Sequence, residues 1–190
     1  MAKKHIVTLG GPPGSGKSTV GRLLAEKLDY ASFSTGNFAR SIAIEQGLTL
    51  EVFNELVAED GSLDEKIDHE QQRIEAEGDR YIIDAHLGFY FVPSSFKVYL
   101  DITPEESAHR IFNDRDATLR KASGDTMATY EEALERTKKR TENHLARYKE
   151  HYGINPYDTT QYDLVIDSTS KQPAEIAEEI LTAYNRWLEA

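Results

Sequence analysis

Two hydrophobic rhythms alternate along the chain. Residues 5–9 are a short apolar run with β-branched side chains that ends in Gly10-Gly11, the pattern of a buried strand. Residues 17–29 then place Val20, Leu23, Leu24 and Leu28 on one helical face. The strand rhythm returns at 30–34, 81–84, 97–101 and 163–167. Between the first and second of these, residues 36–77 repeat apolar positions at helical spacing, as at Leu50, Phe53 and Val57, which predicts two or three helices. Thr103-Pro104-Glu105-Glu106 combines a capping hydroxyl, a proline at the first helical position and a Glu three residues after the cap; it starts a helix running to about residue 112. Residues 113–128 are polar and contain Ser123-Gly124-Asp125, so they are expected to form a mobile loop. A long helix is predicted at 130–152, and a closing one from Pro173 aligns Ile176, Ile180 and Tyr184.

Strands alternating with helices require crossover connections. The expectation is an α/β fold of three layers, with a central parallel five-stranded sheet covered on both faces. Ligands of such sheets bind at the carboxyl ends of the strands.

Composition bounds the rest. At 190 residues the chain suits one domain, and 39% hydrophobic with 29% charged residues is the balance of a soluble globular protein. With no cysteine, disulfides, thiolate metal sites and thiol nucleophiles are excluded. The basic start, Met1 to Lys4, leads into an apolar run too short for a signal peptide or a bilayer span, so a cytoplasmic address is expected. A net charge of −11 argues against nucleic acid as a partner. Yet ten of the 22 Lys and Arg residues lie between Arg110 and Lys149. Most belong to solvated helix faces with i,i+4 pairs; a few are candidates to close over a polyphosphate.

Gly11-Pro12-Pro13-Gly14-Ser15-Gly16-Lys17-Ser18 fits the phosphate-loop pattern G-x-x-x-x-G-K-[ST] without a mismatch, and Thr19 follows it. Glycines let several backbone N–H groups approach one polyphosphate, and the helix behind them adds its N-terminal dipole. Lys17 is expected to reach the β- and γ-phosphates of ATP, and the Ser18 hydroxyl to ligate Mg²⁺. A chance match in a chain this long has a likelihood of roughly one per cent. The strand before the loop and the helix after it lower that further. The second metal oxygen is expected from an acidic strand end, Asp84 or Asp101, and Asp84 is favoured because Asp101 leads into the Thr103 cap.

Phosphoryl transfer needs alignment, charge neutralisation and exclusion of water. The helical insert is the expected acceptor segment, with Arg40 four residues after Gly36. The polar stretch flanked by Arg110, Arg115, Arg136, Arg140 and Arg147 is the expected cover.

These residues together resemble the short nucleoside monophosphate kinases, most closely the archaeal-type cytidylate kinases. Ser34-Thr35-Gly36-Asn37-Phe38-Ala39-Arg40 is similar to that family's acceptor-phosphate segment. Ile67-Asp68, Arg140, Arg147-Tyr148, Tyr152-Gly153-Ile154 and residues 162–167 fall in its order and spacing. The resemblance implies a P-loop kinase with a core (1–34, 78–112 and 129–190), an acceptor-binding insert (35–77) and a short lid (113–128). It implies transfer from ATP, with Mg²⁺, to CMP or dCMP. A monomer with no membrane or nucleic-acid partner is expected. Thr35, Gly36, Arg40, Asp68 and His86 would hold the acceptor. Among Arg115, Arg136, Arg140 and Arg147, one or two would clamp the transferred group and the others would pair with Glu131, Glu132, Glu135 or Glu142. One departure stands out. Where the family has an acidic residue, Gly and Arg after the third strand, this chain has Asp84-Ala85-His86, exchanging a fixed cation for a group that is largely neutral near pH 7. The other five histidines read as surface residues or filler. The departure keeps a kinase for another small acceptor open as an alternative; a nucleotide-dependent regulatory protein is the other, and no N-K-x-D guanine motif supports it.

Overall fold

The computed structural model describes residues 3–50, 52–53, 62–114, 122 and 127–190. Five strands form one sheet: β1 (Ile6–Gly10), β2 (Ala31–Ser34), β3 (Tyr81–Asp84), β4 (Phe96–Asp101) and β5 (Leu164–Asp167). All are parallel, in the order β2-β3-β1-β4-β5. The helices of the described residues are α1 (Lys17–Leu28), α2 (Thr35–Glu45), α3 (Ser62–Glu77), α4 (Gly88–Phe91), α5 (Pro104–Asn113), α6 (Tyr130–Tyr152) and α7 (Pro173–Glu189). Residues 50, 52 and 53 are also helical. The sequence expectation at Val57 and most of the 113–128 loop, Arg115 included, lie outside the described residues.

Alternation along the strands explains the two buried layers. Val7 and Ile82 face α1 and α7, joining Val20, Leu24, Ile176, Ile180 and Tyr184. Ile6 and Ile83 face the other way, toward Ile74 of α3, Phe89 and Phe91 of α4 and Tyr152 of α6. A third small cluster, Ala39, Ala43, Leu50 and Phe53, holds the insert together.

Helix ends follow local chemistry. Thr103 accepts from the Glu106 N–H at 3.3 Å ahead of Pro104. Thr129 accepts from the Glu132 N–H at 3.1 Å as the cap of α6, and the Glu132 carboxylate accepts from the N–H of Ala128, the residue before the cap, at 2.8 Å. Gly153, at φ 70°, ends α6.

The strand order changes direction at β1, which connects onward to β2 on one side while β4 and β5 extend the other. That is the switch point where parallel sheets open a crevice. Pairing in register sets Asp84 beside Leu9 and beside Ser34, and Tyr99 beside Gly10. The carboxyl ends of three strands thus converge on the phosphate loop.

Candidate active site

The loop after β1 is built by backbone geometry. Gly11 has φ 130°, and a Cβ there would lie 2.3 Å from the Leu100 carbonyl oxygen. Gly16 precedes α1 at φ 94° with no side-chain cap, leaving the first amides of the helix directed at the loop. The Lys17 side chain is buried and bends back across the loop, donating to the carbonyls of Gly11 and Pro12 at 2.8 Å each. Ser107 braces the loop from α5 by donating to the Pro13 carbonyl at 2.5 Å, and Ser168 donates to that of Ser15 at 3.1 Å.

Asp84 joins three segments. Its Oδ2 accepts from the Ser18 hydroxyl at 2.5 Å and from the Ser34 hydroxyl at 3.0 Å, and its backbone carbonyl accepts from Thr35 at 3.3 Å. Asp101 is exposed, and its carboxylate accepts from the Ile102 N–H at 3.0 Å. Of the two acidic strand ends, only Asp84 meets the loop serine. A hydroxyl and a carboxylate oxygen side by side form the hard-oxygen donor set that Mg²⁺ takes, so the residues fit that ion.

Thr35 and Gly36 open α2, and Arg40 one turn on is 6% exposed, its guanidinium reaching the Asn37 side chain at 3.4 Å. From α6, Arg140 and Arg147 line the same cleft as Lys17, Ser18, Arg40 and Asp68. The Arg147 guanidinium lies over the Tyr148 ring, 4.9 Å from its centroid, and donates to the Tyr148 hydroxyl at 3.1 Å. Arg136 is elsewhere: it pairs with Glu132 at 3.1 Å and is not among the cleft's lining residues. Arg110 braces the loop after β5, donating to the carbonyls of Ser168 at 2.6 Å and Thr169 at 3.1 Å while pairing with Glu106.

His86 corrects the view of the remaining histidines as surface or filler. His144 of α6 meets it edge to face, ring centroids 4.4 Å apart, with Tyr148 and Tyr157 around the His86 ring. Burial, reinforced by the neighbouring imidazole and by Lys17, Arg140 and Arg147, holds His86 well below the usual histidine range. His144 is lowered as well, by burial and then by Arg140, Arg147 and Lys17. Both rings are therefore neutral at pH 7. The position that the resemblance reserves for a cation carries an uncharged pair. One signal in the sequence pointed to His144: it lies four residues after Arg140 and three before Arg147, on one helical face.

On the insert side, Asp68 of α3 accepts from the Tyr152 hydroxyl at 2.6 Å. Gln71, one turn further, is 1% exposed and also lines the cleft. The sequence reading missed it, because a Gln among the polar residues of this helix carries no pattern.

The cleft lined by Lys17, Ser18, Arg40, Asp68, His86 and Arg147 measures about 1120 Å³. A single small-molecule site takes about 300–1,000 Å³.

A parallel sheet with this loop at its switch point defines a P-loop nucleotide-binding protein of kinase architecture. A family model described as an AAA domain matches residues 7–131. Shikimate kinase from Bacteroides thetaiotaomicron shares the fold with TM-score 0.61 at 14% identity, over 97% of this chain and 98% of that one. The chain is 35% identical over 181 residues to a cytidylate kinase from Sulfurisphaera tokodaii, with 94% of each covered. It is 32% identical to another from Halobacterium salinarum, over 96% of this chain and 90% of that relative. The chain belongs to the cytidylate kinase family.

Proposed function

We propose that this protein is a cytidylate kinase, transferring the γ-phosphoryl group of ATP to CMP or dCMP. The carrying observation is the single cleft lined at once by Lys17 and Ser18, by Arg40 and Asp68, and by Arg140 and Arg147. Two anions can be held there with cations between them.

In this reading residues 11–19 bind the triphosphate through backbone amides and Lys17. Ser18 and Asp84 would hold Mg²⁺, which supplies charge neutralisation across the phosphates. Thr35, Gly36 and Arg40 hold the acceptor's phosphate; Asp68 faces its nucleoside. The γ-phosphorus loses its bond to the β-bridging oxygen and gains one to a phosphate oxygen of CMP, giving ADP and CDP. That oxygen is already anionic, so no general base is required. This agrees with a site whose one buried carboxylate among the described residues, Asp84, already accepts hydroxyls from Ser18 and Ser34. Arg140 and Arg147 neutralise charge on the transferred group, where preorganised cations contribute most. Arg136, held by Glu132, takes no part. His86 and His144 act as uncharged wall and hydrogen-bonding groups. Residues 35–77 serve as the acceptor domain and 113–128, with Arg115, as the lid that excludes water.

One chain supplies every group used here, so a monomer suffices. Among the described residues no helix is long and apolar enough to cross a membrane. The cytoplasm, where ATP and nucleoside monophosphates are available, is the proposed setting.

The test is ADP release over CMP, dCMP, UMP, AMP, GMP and phosphate-free acceptors. CMP and dCMP should give the highest kcat/KM. Turnover confined to a phosphate-free acceptor would favour the alternative that His86 keeps open, a kinase for another metabolite.

A further inference from the structure

We propose that Gln71 of α3, acting with Asp68 one turn before it, reads the exocyclic amino group of the acceptor's base and so selects cytosine over uracil. The inference rests on the kinase reading and assigns the base-reading groups that it leaves open.

Gln71 is a buried polar side chain with an unmet requirement. Its Oε1 is sealed from solvent and has no hydrogen-bond partner among the described residues. Buried amide oxygens are almost always paired, and one without a donor is costly to the fold. The amide is also oriented. Its NH₂ group lies 3.4 Å from the Ile67 carbonyl oxygen, a long contact that nevertheless decides the direction, because a flipped amide would set two carbonyl oxygens against each other. Oε1 is then the end left to accept.

Asp68 precedes Gln71 by three residues, so both lie on one face of α3, and both line the cleft. Its carboxylate accepts only, and the 2.6 Å bond from the Tyr152 hydroxyl fixes its rotamer against α6. Ala39, Leu50 and Ile67 line the same cleft and provide apolar walls for a flat ring. Arg40, one residue after Ala39, places the phosphate-binding group beside these walls.

Two neighbouring acceptors, one of them fixed by a tyrosine and the other by a backbone carbonyl, match a group with two N–H donors. Cytosine presents such an amino group at the position where uracil presents a carbonyl oxygen. Uracil would set the lone pairs of its carbonyl against Oε1 and leave that oxygen unpaired. A site built to pair a donor rejects the analogue that lacks it far more strongly than an apolar pocket rejects an added methylene. Adenine also carries an amino group, so this pair does not by itself distinguish it from cytosine.

The test is steady-state kinetics at saturating Mg-ATP, with CMP and UMP as acceptors, for the wild type, Gln71→Met and Gln71→Leu. Both variants put an apolar side chain of similar volume in its place, and each removes the unpaired oxygen, so the thermal midpoint and the KM for ATP should be unchanged or improved. The KM for CMP should rise about 10- to 100-fold while that for UMP stays flat or falls, collapsing the preference. An equal rise for both acceptors, or a preference untouched in both variants, overturns the proposal. So does a collapse that comes with a lowered thermal midpoint in both variants, since packing then accounts for it. Wild-type inactivity toward CMP would overturn the kinase reading and this inference together. Wild-type turnover of CMP with selectivity indifferent to residue 71 overturns this inference alone.

Discussion

Asp84 shows what a residue's place in the register does. Its carboxylate meets Ser18 because β3 pairs directly with β1, bringing the ends of both strands to one point. The strand pattern and the loop motif were enough to nominate it, since both are local signals. Asp84→Asn keeps the shape but removes the charge. The Mg²⁺ concentration for half-maximal rate should rise about 10–100-fold, measured by titrating the ion at fixed ATP; an unchanged midpoint would move the metal elsewhere. For His144 the local signal was only its spacing from Arg140 and Arg147; its neighbour His86 is distant in sequence, and their ring contact could not be read from it. Its lowered proton affinity has a consequence for stability. The unfolded chain binds a proton near pH 6.5 that the folded chain refuses, so this contribution is present above that pH and lost as pH falls below it. The slope is at most about 1.4 kcal/mol per pH unit for each such group. His144→Gln should therefore flatten the loss of stability between pH 7 and 5 in denaturant titrations. An identical slope in the variant would show that the ring titrates normally.

At the scale of the element, α6 carries two chemistries on one 23-residue helix. Arg136 closes an i,i+4 pair with Glu132, as the sequence expects of a solvated face. Arg140, His144 and Arg147 recur four and three residues apart and turn into the cleft. Helical spacing could group these residues, but it could not say which group faced the sheet; that depends on the docking of α6 against α5 and α4. Arg140→Ala and Arg147→Ala should each lower kcat by roughly 10²–10³ with a smaller effect on the KM for ATP. Arg136→Ala, which breaks only a half-exposed pair, should stay within about 0.5 kcal/mol of wild-type stability and near wild-type rate. Steady-state kinetics on the three variants decide between these roles. Equal losses in all three would mean that the helix acts as a unit and not through its cleft face. In α3 the polar composition hid Gln71, whose burial is a property of packing and not of pattern.

At the scale of the whole molecule, the parallel sheet and its layers were readable because strand runs, caps and crossovers each leave a short-range mark. The strand order was not, since it depends on which strands β1 accepts on its two sides. That order matters for function: it puts the phosphate loop at the switch point and opens one cleft of about 1120 Å³ toward the insert and α6. A cleft shared by two substrates predicts direct transfer between them and little loss of phosphate to water. ³¹P NMR of a mixture of wild-type protein, Mg-ATP and CMP tests this most directly. The account predicts that ADP and CDP signals grow together in equal amounts, without inorganic phosphate. Accumulation of ADP and inorganic phosphate with CMP unconsumed would contradict it.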